Sequence, residues 1–75
     1  MTLSYTIHLP LSSDINTRIA WAGDMFHNLI EGQLTANEGW YIWNALVGWT
    51  DLCSANERRQ YEQMARIYQD YLRNQ

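Results

Sequence analysis

The sequence predicts a mostly α fold: a short N-terminal β-strand followed by a three-helix domain, with the strand expected to pair between chains. Three observations lead there. Residues 3–9 alternate apolar and polar side chains, which is the period of a strand. Three later stretches instead repeat their apolar residues at spacings of three and four, the period of an amphipathic helix. Finally, the chain has 75 residues and one cysteine. It is a single domain (residues 1–75) whose core is marginal and cannot be stapled by an internal disulfide.

The strand covers residues 3–9, with Leu3, Tyr5, Ile7 and Leu9 on one side and Ser4, Thr6 and His8 on the other. Pro10 removes a backbone donor and ends it. No second segment has this period, and a lone strand leaves its backbone groups unpaired. Pairing with a second copy of the chain, or with a partner's sheet edge, solves that problem; the alternatives are an extended arm lying on the helices and a frayed terminus. Tyr5 and Ile7 are the residues expected to support the pairing.

The first helix is expected over about 13–31, after capping candidates Ser12, Ser13 and Asp14. Ile15, Ile19, Ala22, Phe26 and Leu29 form its stripe, widened by Met25 and Ile30, and Gly32 is a natural stop. The second helix, about 36–52, carries two stripes. Ile42, Leu46, Trp49 and Cys53 form one, with Ala45 beside it. Trp40, Trp43 and Val47 form the other, on a different side. A helix apolar on several sides is either central to a core or covered by another chain. The third helix, about 55–73, sets Tyr61, Met64, Ala65, Tyr68, Tyr71 and Leu72 on one face. On its other side Arg59, Arg66 and Arg73 recur every seven residues with Glu62 and Asp70 between them, which reads as a solvated, salt-bridged face.

Two short stretches, Thr35-Ala36-Asn37-Glu38 and Ser54-Ala55-Asn56-Glu57, look at first like a repeated site. Each is better explained as a capping box. The hydroxyl accepts from the third helical N–H, and the glutamate accepts from the N–H of the cap residue. Neither glutamate is accompanied by a His or Cys, so no paired-acid chemistry is expected of them.

Other chemistry is sparse. Asp24, His27 and Glu31 share a helical face, but three ligands on one helix make only part of a metal site, and no second cluster completes it. Cys53 has no base near it in sequence and reads as a small packing residue. There is no Gly-rich phosphate loop, Cys-x-x-Cys pair or nucleophile elbow. The chain is therefore expected not to be an enzyme and to need no cofactor and no metal.

The formal charge is −3, with five arginines and no lysine. That is a poor match to phosphate-backbone binding. Four tryptophans in so short a chain suit a protein interface better. No stretch of 18 apolar residues and no basic-then-apolar leader is present. With the lone thiol, these features suggest a cytoplasmic protein without membrane association.

The opening "TIHLP" resembles that of ribbon-helix-helix proteins, and "EGQLTANEGWYIWNAL" resembles the turn into that family's second helix. The likeness covers about 45 residues, from the strand through the first two helices. It implies a strand-paired dimer whose ribbon reads the DNA major groove. Carried over to this chain, Ser4, Thr6 and His8 would face the bases, and Gly32 would mark the turn between helices.

The leading expectation is a small acidic, non-catalytic regulator or inhibitor, of the kind phages and mobile elements encode. It is expected to form a homodimer and to bind a protein partner through Trp40, Trp43 and Val47. The second is a ribbon-helix-helix-like DNA-binding transcription regulator.

Overall fold

Three helices follow one another in the computed structural model, which describes residues 7–11 and 14–75. They are α1 (Ile15–Ile30), α2 (Ala36–Thr50) and α3 (Ala55–Arg73). Each begins where a side chain takes up free helical N–H groups. Asp14 accepts from the Asn16 N–H at 3.3 Å and from the Thr17 hydroxyl at 3.2 Å, so α1 starts at Ile15. Thr35 caps α2 and Ser54 caps α3, both as complete capping boxes. In the first, the Thr35 N–H donates to Glu38 Oε1 at 2.7 Å, and the Glu38 N–H donates to Thr35 Oγ1 at 3.2 Å.

The helix ends are equally local. After Glu31 the chain turns at Gly32, whose φ is +80. This is the left-handed region that only glycine enters without strain. The Gln33 N–H donates to the Asn28 carbonyl and the Gly32 N–H to the Leu29 carbonyl, which together make a Schellman motif. Helix α2 stops at Thr50, two residues short of the end its apolar pattern suggested. There the Asp51 and Leu52 N–H groups bond back to Gly48 and Trp49, and the Thr50 hydroxyl donates to the Val47 carbonyl at 2.6 Å. Arg58 Nε donates to the Thr50 carbonyl at 3.1 Å, placing a cation at the negative end of α2.

The contacts give the topology. Helices α2 and α3 form a closely packed antiparallel hairpin. Trp49 near its turn meets Tyr61, and Gly39 at its far end lies against Leu72. Helix α1 lies along both: Trp21 meets Trp49, and Leu29 meets Gly39. On α3 it reaches Tyr68, whose hydroxyl donates to the Ala22 carbonyl. The result is an up-down-up bundle. Ala22, Leu29, Leu34, Ile42, Leu46, Trp49, Tyr61, Ala65, Tyr68 and Leu72 make its core.

Trp49, Tyr61 and Tyr68 are the aromatic core residues; Trp49 and Tyr61 meet at a tilt, and the partly buried rings around the core meet it edge to face. Phe26 stands 5.0 Å from Tyr68 and 5.5 Å from Tyr71, centroid to centroid. Arg18 lies 4.8 Å above the Trp49 ring. Burial pushes the Tyr68 hydroxyl above the ordinary tyrosine range, because the phenolate loses its hydration there. No described helix is long and apolar enough to cross a membrane.

Within the expected strand, residues 7–9 are described and lie in no regular secondary structure. Ile7 is half-buried and packs against the core. Leu3, Ser4, Tyr5 and Thr6 lie outside the described residues.

Candidate functional site: the outer side of α2

Helix α2 contains a single charged residue, Glu38, and that side chain is buried. Its Oε1 is spent on the cap, while Oε2 is buried without a hydrogen-bond partner. The side of α2 that faces away from α1 and α3 therefore carries no charge at all. The outer surfaces of the neighbouring helices differ. Asp24, His27 and Glu31 are exposed on or just beyond α1, and Arg59, Glu62, Arg66, Asp70 and Arg73 are exposed on α3.

The two stripes of α2 separate as their spacing suggested. Ile42 and Leu46 are fully buried and Trp49 nearly so, while Cys53 is half-buried and its Sγ–H donates to the Trp49 carbonyl at 3.0 Å. On the second stripe, Val47 is 40% exposed. Trp40 and Trp43 are half-buried at the margin of the core and meet edge to face at 5.5 Å. The structure thus brings the three expected residues onto one side of α2, with the two indoles in contact with each other.

Three further residues complete this side. Tyr41 is 49% exposed, and Asn44 and Gly48 are exposed. Tyr41 follows Trp40 directly and falls outside the Trp40–Trp43–Val47 stripe, which is why periodicity passed over it. Its place on this side depends on how the bundle buries the neighbouring Glu38, which no local pattern gives.

Gly48 is the least expected residue of the group. A Cβ built on it meets nothing within 4 Å, so no contact inside the chain requires glycine there. Its φ is not positive either. An exposed glycine inside a helix costs about 1 kcal/mol relative to alanine. Gly39, one stripe away, is the opposite case: a Cβ there would lie 2.9 Å from Leu72 Cδ2 and 3.1 Å from Leu29 Cδ2.

The other candidates dissolve into ordinary surface. Asp24, His27 and Glu31 do not gather as a metal-ligating group, and none is found among the described residues. His27 Nε2 and Glu31 Oε2 approach to 3.4 Å as an exposed pair. The salt-bridged face expected on α3 does not form: no ion pair within 4.0 Å joins Arg59, Arg66 or Arg73 to Glu62 or Asp70. Long exposed side chains gain little from pairing and stay hydrated. Of the residues expected to face DNA, His8 is exposed, and Ser4 and Thr6 lie outside the described residues. Comparison with protein-family models, curated proteins and solved structures gives no match.

Proposed function

We propose that this chain is a small non-catalytic regulator or inhibitor that binds a protein partner through the outer side of α2. The observation that carries the proposal is the pairing of partly exposed aromatic and apolar surface with a complete lack of charge. Trp40, Tyr41, Trp43 and Val47 lie there, and the helix's only carboxylate is buried. Interface centres are depleted in charge and enriched in Trp and Tyr. Two indoles already held edge to face lose little conformational freedom on binding, so more of the buried area appears as affinity.

Val47→Glu tests this. The side chain is exposed and the new charge stays solvated in the free chain, so the melting temperature should hardly move. A partner that desolvates this side would meet a buried, unpaired charge. Proteins retained by the wild-type chain in affinity capture should be lost from the variant. Equal capture of the same proteins by both would overturn the proposal.

A further inference from the structure

We infer that α1 opens away from the α2–α3 hairpin as one unit, turning at Gly32, while the hairpin stays folded. This motion is separate from the partner binding proposed for the outer side of α2, because what it uncovers is the inner side.

The core is divided unevenly among the helices. Tyr61, Tyr68, Ile42 and Leu46 are its largest fully buried side chains, and all four belong to α2 or α3. Helix α1 buries Ala22 and Leu29 alone. Its other apolar residues, Ile15, Ile19, Trp21, Met25 and Phe26 among them, pack against the core while partly exposed. Helices α2 and α3 also lie far more closely on each other than α1 lies on either. Burial of apolar surface is what holds a helix to a bundle. A segment that buries less therefore opens at a lower free energy than the whole domain unfolds.

The helix starts differ in the same sense. Helices α2 and α3 each begin with a capping box and a glutamate in the first turn. Helix α1 has Asp14 as its cap and no acid in its first turn, so it has less to keep it helical once undocked. The hairpin carries its own supports. Both capping boxes, the Trp49–Tyr61 contact and the bond from Arg58 Nε to the Thr50 carbonyl lie within residues 35–75 and survive the loss of α1.

The joint can turn. Gly32 stands at φ +80 between α1 and the Thr35 cap. Glycine populates both signs of φ, so this residue leaves its conformation without strain. The links that break are the Tyr68 hydroxyl to the Ala22 carbonyl, the rings of Trp21 and Phe26 on Trp49, Tyr68 and Tyr71, and Arg18 on Trp49. On opening, water takes the place of the Tyr68–Ala22 bond, and Trp49 and Tyr68 become accessible on a folded hairpin.

Native-state hydrogen exchange on the full chain, followed residue by residue through low urea concentrations, tests this. Amides at 21–28 should exchange at least tenfold faster than those at 42–49 and 61–68. They should share one opening free energy and a smaller urea dependence, since opening α1 exposes less surface than unfolding the chain. A gradient of rates that falls steadily toward Leu29 would mean fraying and overturns the inference. One opening energy and urea dependence common to all three helices overturns it too. Ser54→Ala is the second arm. The α3 cap persists in the opened state, so its loss should speed exchange at 42–49 and 61–68 about fivefold and leave 21–28 unchanged. Equal acceleration of all three helices by this variant would also overturn it.

Discussion

The two sides of α2 are built from similar residues and do opposite things. The inner side packs Gly39, Ile42, Leu46 and Trp49 against α1 and α3. The outer side presents Trp40, Tyr41, Trp43, Val47 and Gly48. Neither side exposes a charge. On the inner side every feature has an internal cause: Gly39 is small because Leu29 and Leu72 occupy the space a Cβ would need. On the outer side Gly48 has open space around it, and the indoles sit at the core margin instead of within it. The proposed partner-binding side is thus the side of α2 whose apolar surface the bundle leaves partly uncovered.

The largest effect expected on this contrast comes from the inner side. Leu46 is fully buried, and Leu46→Ala should cost about 2–5 kcal/mol through lost transfer energy and a residual cavity. A 75-residue domain has on the order of 4–11 kcal/mol in total, so urea denaturation should show a large fall in midpoint or outright unfolding.

The two glycines should then respond with opposite signs. Gly39→Ala forces Leu72 and Leu29 aside, and overpacking of that kind costs about 1–3 kcal/mol against about 1 gained in helix propensity. Gly48→Ala gains the propensity with no clash and should stabilise the dilute chain by about 1 kcal/mol. Equal shifts for the two variants in thermal melts would erase the distinction between the sides.

Tyr68→Phe removes the buried hydroxyl that ties α3 to the Ala22 carbonyl, at a cost of about 1 kcal/mol. The same residue sets an alkaline limit. Its folded-state ionisation is raised by burial, so above the ordinary tyrosine value near 10 the unfolded chain ionises first. The stability contributed by protonated Tyr68 is complete below that value and declines as the pH rises beyond it. Denaturation midpoints followed upward from pH 9 should fall more steeply for the wild type than for Tyr68→Phe. The smallest effect belongs to the outer side: Val47→Glu should change folding stability by no more than about 0.5 kcal/mol.

Most of the fold could be read from local patterns, because local patterns create it. Thr35 with Glu38 and Ser54 with Glu57 announced two helix starts, and Gly32 announced the turn, since capping and left-handed backbone depend on a few neighbouring residues. The stripe of α3 and the inner stripe of α2 followed from period alone. Ile30 did not: it continues the run after Leu29 but lies 100° further round the helix at its last turn, and it is 52% exposed. The burial of Glu38 and the tight fit at Gly39 depend on how the ends of α1 and α3 meet, which no local pattern specifies. On the outer side the spacing of Trp40, Trp43 and Val47 placed the three on one side of the helix, where the structure has them. Tyr41 and Asn44 became visible only once the helix was placed in the bundle.

The most direct measurement is photo-crosslinking from that surface. A benzophenone side chain at position 47, on the outer side of α2, is compared with one at position 63, on the exposed side of α3, in the full chain under native conditions. The account predicts protein adducts from position 47 and none from position 63. Equal adduct formation from both positions, or none from position 47, would contradict it.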